Sequence, residues 1–135
     1  MVKKEFTFRG HLLDDLLRMQ DKEFAGLICS RSRRTLLRSG IDKKLDGKIA
    51  KAHALLQQEK EAKPIRTHLR NTIVVPRMVG LRFAVHRGNS FEIVAITKDM
   101  LGHFLGEFAL TRKKLMHGRA GIGATKSSTA ITARG

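Results

Sequence analysis

The sequence predicts an α+β domain in which N-terminal helices come first and a small antiparallel sheet with a short helix follows. Up to residue 62, apolar residues recur at the spacing of amphipathic helices. Pro64 then interrupts the pattern, because proline cannot continue a helix. Beyond residue 70 the apolar period becomes two, which is typical of strands. Helices followed by a run of strands indicate the α+β class.

The helical half contains three predicted helices. Residues 11–20 place four leucines at i, i+3 and i+4 spacing, which indicates an amphipathic helix. Those leucines are Leu12, Leu13, Leu16 and Leu17. A second helix covers residues 31–38, with Ser30 as N-cap and Gly40 as its C-terminal stop. A third runs from residue 42 to 62, and its predicted apolar stripe is Leu45, Ile49, Ala52 and Leu56.

The second predicted helix carries a basic stripe, formed by Arg31, Arg34 and Arg38, opposite Leu36 and Leu37. A solvated helix face is the alternative interpretation of such a stripe. The high net charge of the chain favours a binding role instead.

The second half reads as strands and a tail. Residues 71–75 are rich in β-formers and end at Pro76. Residues 81–86 and 91–96 form a predicted hairpin around the turn at 87–89. Thr97 is a candidate N-cap for a short helix, which Gly102 and Gly106 limit. We therefore expect a helical extension at 1–62, a small α+β core at 63–111 and a basic, glycine-rich flexible tail at 112–135, all in one structural domain.

The charge of the chain indicates a polyanionic partner. The 135 residues include 27 Lys and Arg against 12 Asp and Glu, a net charge of +15. Residues 63–135 carry +10 of this excess, and no acidic residue follows Glu107. Such self-repulsion is relieved when a polyanion neutralises it, so nucleic acid is the expected partner, contacted mainly by the C-terminal half.

The sequence gives less support to a membrane-spanning, secreted or disulfide-bonded protein. No run of ~20 apolar residues is present, and the N-terminus leads into no signal-like apolar stretch. The single cysteine, Cys29, excludes an internal disulfide, and we expect it to be buried beside Leu27 and Ile28 in an intracellular protein.

We also expect no enzyme, metal or cofactor. The glycine-rich stretch at 118–127 resembles a phosphate-binding loop, but Ala124 and Thr125 separate Gly123 from Lys126. The six histidines lack paired metal-ligand spacing, and no GxSxG turn frames a serine nucleophile.

Three segments carry a family resemblance. They read THLRNTIVVPRMVG at 67–80, DMLGHFLGEF at 99–108 with TR at 111–112, and HGRAGIGATKSS at 117–128. In order and spacing they resemble the universal small-subunit ribosomal protein family numbered nineteen in bacteria. The third segment, Phe8-Arg9-Gly10 and the helical extension are similar to the archaeal and eukaryotic branch.

The resemblance implies a structural constituent of the small ribosomal subunit that binds ribosomal RNA of the subunit head beside a neighbouring head protein. It also implies that the tail extends towards the decoding site and transfer RNA. The expected location is the cytoplasmic ribosome, with a nucleolar stage during assembly if the source is eukaryotic.

The chain departs from the family pattern at three places. Arg77 stands where an acidic residue is common, residues 86–89 replace a turn that often contains Tyr and Asn, and Ala120 replaces a frequent Pro. We interpret the first two changes as added positive character that suits an RNA partner.

Candidate RNA-binding residues follow from side-chain chemistry. Lys and Arg bind phosphates with counterion release, and His and Asn can donate to phosphate or 2′-OH groups. The candidates are Arg31, Arg33, Arg34, His68, Arg70, Asn71, Arg87, Asn89, His103, Arg112, Lys113, Lys114, His117, Arg119 and Lys126. Because Trp and Tyr are absent, we expect recognition of folded RNA without a base-stacking platform.

Two other functions share the charge but not the three segments. A DNA-compacting protein would show no preference for RNA over DNA. A basic membrane-surface protein would float with vesicles, although Glu59 and Glu61 weaken the basic face of the third helix.

Overall fold

The computed structural model describes residues 6–58 and 62–113. A two-residue hairpin comes first: β1 (Thr7–Phe8) pairs antiparallel with β2 (His11–Leu12) across a turn in which Arg9 and Gly10 have φ angles of 52° and 87°. Helix α1 (Leu13–Arg18) follows directly. The observed helix therefore begins two residues after, and ends two residues before, the helix predicted for residues 11–20.

The leucines of that predicted helix do not share one buried face. Leu16 is fully buried, whereas Leu12 and Leu17 are 44% and 48% exposed. Leu12 lies in β2, so the helical spacing that includes it is a coincidence of sequence.

Helix α2 (Asp21–Leu27) was not predicted. It begins with a capping box in which the Gln20 N–H donates to Glu23 Oε2 at 3.1 Å. Its buried residues are Phe24 and Ala25. Seven residues with a glycine among them give too short a pattern to reveal a helix by periodicity.

Helix α3 (Ser30–Ser39) confirms the second predicted helix, although Cys29 and not Ser30 occupies the N-cap position. Gly40 ends it as expected, with φ of 60° and an N–H that donates to the Leu36 carbonyl at 2.9 Å. Leu36 is buried, whereas Leu37 is 55% exposed, so of the two leucines opposite the predicted basic stripe only Leu36 packs into the core.

Helix α4 (Lys43–Gln57) confirms the third predicted helix over its described part. The Asp42 carboxylate caps it by accepting from the backbone N–H groups of positions 44 and 45. Leu45, Ile49 and Ala52 are buried as predicted, whereas Leu56 is 45% exposed because it lies near the end of the helix, beyond the core.

A three-stranded sheet, in the order β3-β4-β5, forms the second half. Strands β4 (Arg82–His86) and β5 (Phe91–Ala95) are the predicted antiparallel hairpin. Strand β3 (Ile65–Thr67) pairs with β4 in parallel, with Ile65 opposite Phe83, so the sheet is mixed. The α+β class is confirmed.

The β-rich segment 71–75 lies beside the sheet and pairs with the segment around residue 103. Its one bridge joins Ile73 to Phe104, and the Val74 N–H donates to the His103 carbonyl at 2.8 Å. Three 3₁₀ helices complete the fold at Pro76–Met78, Lys98–Met100 and Leu105–Phe108. Thr97 occupies the predicted N-cap position of the second, without a side-chain cap bond.

A single hydrophobic cluster joins the helices to the sheet. Leu16, Phe24 and Ile49 from the helices belong to it together with Phe83 and Val85 of β4, and each of these side chains is at most 2% exposed. The core therefore lies against one face of the sheet, and the opposite face carries residues such as Ile93, which is 63% exposed.

Candidate RNA interface

Within residues 6–58 and 62–113, most of the positively charged side chains have no intramolecular carboxylate partner. Among Lys and Arg residues in the described ranges, Arg77 and Arg87 lie within 4.0 Å of a carboxylate. Of the remaining cations in those ranges, some donate to backbone carbonyls, among them Arg33, Arg70 and Arg82. The others are available to an external anion.

One basic surface groove, here called the hairpin groove, lies between the β4–β5 turn and the segment after the last 3₁₀ helix. It has a volume of about 660 Å³. Its lining residues are Arg87, Asn89, Glu92, Phe108, Leu110, Thr111, Arg112 and Lys113. With three cations and one carboxylate, the groove has the charge and the amide donor that a phosphate backbone requires.

The turn holds Arg87 in a fixed position. Its Nε donates to Ser90 Oγ at 2.9 Å, and its Nη1 donates to Glu92 Oε2 at 2.9 Å. The Arg87 backbone N–H also donates to the Ser90 carbonyl at 2.9 Å. Glu92 offsets the charge of Arg87, whereas Arg112 and Lys113 have no carboxylate within 4.0 Å among the residues that the structure describes.

Arg70 connects the two walls of the hairpin groove. Its Nη1 donates to the His86 carbonyl at 2.7 Å, and its Nη2 donates to the carbonyls of Gly106 and Ala109 at 2.8 and 2.7 Å. These bonds fix the end of β4 against the segment that leads to Arg112. Arg70, a candidate for phosphate contact, therefore uses its Nη groups to hold the groove together.

A second groove, here called the α3 groove, lies where α3 meets the β1–β2 hairpin and the segment 101–107. It has a volume of about 340 Å³. Its lining residues are Phe8, Arg9, Leu27, Ile28, Cys29, Arg31, Ser32, Leu101, Gly102, His103, Phe104 and Glu107.

Four side chains of the α3 groove form two contacting pairs. The Arg31 guanidinium lies over the Phe104 ring, 5.3 Å from its centre, and His103 Nδ1 contacts Glu107 Oε2 at 2.6 Å. The Phe104 N–H, which donates to Glu107 Oε1 at 3.1 Å, and His103 lower the pKa of Glu107. Glu107 thus stays ionised in this groove and competes there with an external anion.

Cys29 is exposed at the α3 groove, so the expectation of a buried cysteine is wrong. Its thiol contacts Ser32 Oγ at 3.3 Å, and the Ser32 hydroxyl and N–H lower the pKa of Cys29. Ser32, in contrast, is 1% exposed and donates to the Gly102 carbonyl at 3.1 Å. The buried residue here is therefore Ser32, whereas the sequence had led us to expect Cys29 to be buried.

The structure gathers several predicted RNA-binding residues and separates others. Arg87, Asn89, Arg112 and Lys113 share the hairpin groove, whereas Arg31 and His103 share the α3 groove. Lys114, His117, Arg119 and Lys126 lie outside the described residues.

The remaining candidates have different surroundings. Arg34 is exposed on α3, and Asn71 is exposed at the start of the β-rich segment. Arg33 donates from Nε and Nη2 to the carbonyls of Ala25 and Ile28, both at 3.2 Å, and so stabilises the C-terminal end of α2. His68 belongs to a ring cluster beside the sheet.

Arg77 does not supply free positive charge, contrary to our interpretation. Its two terminal nitrogens lie 2.7 Å from Asp21 Oδ2 and 2.8 Å from Asp46 Oδ1. The arginine therefore joins α2 to α4 and is neutralised by both carboxylates.

Sequence reasoning left Arg66, His86 and Phe91 out of the candidate set. Arg66 and His68 alternate along β3 and its continuation, and the alternation in β4 and β5 places His86 and Phe91 opposite each other. This period-two pattern could have shown from the sequence that Arg66, His68, His86 and Phe91 lie on one face of the sheet. The described residues contain no group of three or more His, Cys, Asp and Glu side chains arranged to hold a metal ion, and no described helix is long and apolar enough to span a membrane.

Comparisons with known proteins match this chain over most of its length. The family model described as "Ribosomal protein S19" matches residues 31–117. The chain belongs to the ribosomal protein S19 family. It is also 48% identical over 124 residues to "Small ribosomal subunit protein uS19" of Halobacterium salinarum, a match that covers 92% of this chain and 88% of the relative. The protein of the same name from Halorubrum lacusprofundi is 46% identical over 125 residues, covering 93% and 88%.

The predicted resemblance to the archaeal and eukaryotic branch of the S19 family is thereby confirmed. The family is one of ribosomal proteins and not of enzymes. The matched residues 31–117 contain every residue that lines the hairpin groove. Five lining residues of the α3 groove precede the match: Phe8, Arg9, Leu27, Ile28 and Cys29. The longer matches to the archaeal relatives extend over most of that N-terminal part.

Proposed function

We propose that this chain is a structural constituent of the small ribosomal subunit that binds ribosomal RNA. Its relatives of the S19 family are named as small ribosomal subunit proteins, and they match over nine-tenths of the chain. The observation that carries the RNA contact is the hairpin groove, where Arg87 is held by the turn and neither Arg112 nor Lys113 is paired with a carboxylate of the described residues.

Binding combines electrostatic attraction with a fixed shape. Each Lys or Arg that neutralises a phosphate releases condensed counterions, which favours association at low salt. The hydrogen bonds of Arg70 and those between Arg87 and Ser90 fix the shape of the groove before RNA binds. Less conformational entropy is therefore lost on binding. A preformed basic groove of this kind recognises a folded backbone by its geometry.

The finer proposal concerns location and partners. The RNA is that of the subunit head, and a neighbouring head protein lies beside this chain. Residues 1–62 form the helical extension, 63–111 the RNA-binding core and 112–135 a basic tail directed towards the decoding site and transfer RNA. Lys114, His117, Arg119 and Lys126 supply the RNA contacts of this tail. The ribosome places the protein in the cytoplasm, after a nucleolar stage if the source is eukaryotic.

The test is co-sedimentation of tagged full-length protein with small ribosomal subunits through sucrose at 50 mM and 200 mM salt. A weak polyanion binder with 6–10 phosphate contacts loses roughly a thousandfold or more in affinity over this range. We expect stoichiometric retention with small subunits after the high-salt wash. Protein at the top of the gradient, or spread over all nucleic acid, would overturn the proposal.

A further inference from the structure

Four planar side chains pack together on the face of the sheet that points away from the core. The His68 and His86 rings lie 4.3 Å apart between centres at 34°, and both contact the Phe91 ring, at 5.2 and 5.0 Å. The Arg66 guanidinium lies over the same Phe91 ring at 4.4 Å. We call Arg66, His68, His86 and Phe91 the outer-face cluster.

The register of the sheet explains why these residues meet. His86 of β4 is paired with Phe91 of β5, and Arg66 of β3 is paired with Ala84, two residues before His86 on the same face. His68 continues the alternation just past the end of β3. One step of register would turn these side chains into the core, so the cluster is fixed by the same pairing that buries Phe83.

The cluster has a supporting layer and an exposed layer. Phe91 and His86 are half-buried, whereas Arg66 and His68 are exposed. The exposed layer therefore presents a guanidinium plane and an imidazole, which are two of the groups on which proteins stack unpaired bases.

The surroundings of the cluster are basic. The alternation places positions 64, 66, 68, 82, 84, 86, 91, 93 and 95 on this face, and none is acidic. Beside it lies a groove of about 390 Å³, here called the lysine groove. It is lined by Lys48, Lys51, Ala52, Leu55, Ala62, Lys63, Pro64, Ile65 and Arg66. Arg66 belongs to both surfaces, and Lys48 Nζ donates to the Arg66 carbonyl at 3.2 Å.

We propose that the outer-face cluster binds an unpaired nucleobase of ribosomal RNA, stacked on Arg66 and His68, while Lys48, Lys51 and Lys63 hold the adjoining phosphates. This inference rests on the proposed function and adds to it a site for single-stranded RNA, separate in the sheet from the hairpin groove. We had expected no stacking platform because the chain lacks Trp and Tyr. The platform proposed here is built from Arg and His side chains instead.

Single-stranded RNA fits this surface better than the other anionic partners. A basic groove beside planar side chains is the arrangement that binds a strand through both its backbone and its bases. Duplex RNA keeps its base faces inside the helix and would leave the planar groups unused. An acidic protein segment would use the lysines but would not require the planes of Arg66 and His68.

The experiment uses full-length protein bound to protein-free small-subunit ribosomal RNA. Ultraviolet irradiation at 254 nm forms direct protein–base crosslinks, and mass spectrometry locates the modified peptides. We expect nucleotide adducts on the segments that contain residues 66–68 and 91. In parallel, the dissociation constant is measured against salt for Arg66→Lys and His68→Ala. The matched control is Arg18→Lys, at an exposed arginine of α1 that lines none of the three grooves.

Arg66→Lys keeps the charge and removes the plane. Loss of a stacked base lowers affinity by about fivefold or more, while the salt slope stays unchanged because no phosphate contact is lost. Arg18→Lys should keep the wild-type affinity, since Arg18 makes no contact with RNA in this proposal. Phe91→Leu should act like Arg66→Lys, and its thermal melting curve is recorded with it. If Phe91→Leu fails to fold, the affinities of Arg66→Lys and His68→Ala alone test the stacking site.

Three outcomes would count against the proposal in different ways. If wild-type protein binds small-subunit RNA no better than unrelated RNA, the proposed function fails together with this site. If it binds well, yet Arg66→Lys and His68→Ala bind equally well and no adduct maps to the sheet, the stacking site alone is wrong. If amine-to-carboxyl crosslinking of whole subunits joins the lysine groove to a protein, an acidic protein segment is the occupant and the proposal is overturned.

Discussion

Arg70 and Gly106 hold each other through both main chain and side chain. The Gly106 N–H donates to the Arg70 carbonyl at 2.9 Å, and Arg70 Nη2 donates back to the Gly106 carbonyl at 2.8 Å. A Cβ on Gly106 would lie 3.0 Å from the Arg70 carbonyl oxygen. The absence of a side chain at position 106 is what allows the arginine to reach the backbone of the last described segment.

Removing the Arg70 side chain should destabilise the fold. Arg70→Ala leaves the carbonyls of His86, Gly106 and Ala109 without this charged donor, which costs roughly 2–3 kcal/mol in the free energy of unfolding. The stability of Arg70→Lys should lie between those of wild type and Arg70→Ala, because one ammonium group cannot reach all three carbonyls. Urea unfolding followed by circular dichroism measures the change.

The matched control for Arg70 is Arg38→Ala, an exposed position on α3 whose loss should change stability by less than about 0.5 kcal/mol. Equal urea midpoints for the two alanine variants would show that the Arg70 bonds contribute nothing to folding.

The same glycine-to-alanine change should have opposite effects at two positions. Gly106→Ala places its Cβ 3.0 Å from the Arg70 carbonyl oxygen and 3.1 Å from Arg70 Cβ, so the backbone must shift, at a cost of about 1–3 kcal/mol. Gly47→Ala lies within α4 with nothing inside 4 Å, and it should stabilise by up to about 1 kcal/mol. Thermal melting of both variants distinguishes them by the sign of the shift in Tm.

Local patterns predicted the elements that local forces determine. The β4–β5 hairpin follows from alternation and a turn at 87–89, and α4 follows from the apolar spacing after residue 42. Strand β3 was missed because it has three residues and pairs in parallel with a strand about eighteen positions away. Such pairing depends on closing a long loop and leaves no local pattern.

The site was predicted residue by residue but not as a surface. Charge identified Arg112 and Lys113, yet nothing local indicates that Arg70 turns inwards to the carbonyls while Arg77 pairs with two aspartates. Both arginines look like surface cations in the sequence. Their partners lie 16 to 56 positions away, so only the folded chain shows that they are structural.

Glu107 should make stability depend on pH. The Phe104 N–H and His103 lower its pKa below the ordinary value of 4.5. A carboxyl with a lowered pKa in the folded state contributes stability above its unfolded pKa, and this is lost as pH falls through the folded pKa. We expect Glu107→Gln to be less stable than wild type at pH 6 and to approach it below pH 4, measured by urea midpoints.

His103→Ala separates the two causes of that pH effect. It removes the contact at 2.6 Å but keeps the Phe104 N–H, the larger cause, so the acid-sensitive difference should shrink without vanishing. A constant gap between wild type and Glu107→Gln from pH 3 to pH 6 would contradict this account.

Neutralising the free cations of the hairpin groove should change the salt dependence of RNA binding. Arg112→Ser and Lys113→Ser each remove one phosphate contact in the proposed function, so each should reduce the slope of log K against log salt by about 1. Arg77→Ser is the control, because its charge is already neutralised by Asp21 and Asp46 and its loss should leave the slope unchanged. Filter binding to small-subunit ribosomal RNA at several salt concentrations gives the slopes. A slope that falls equally for Arg77→Ser would mean that net charge alone, and not the geometry of the groove, governs binding.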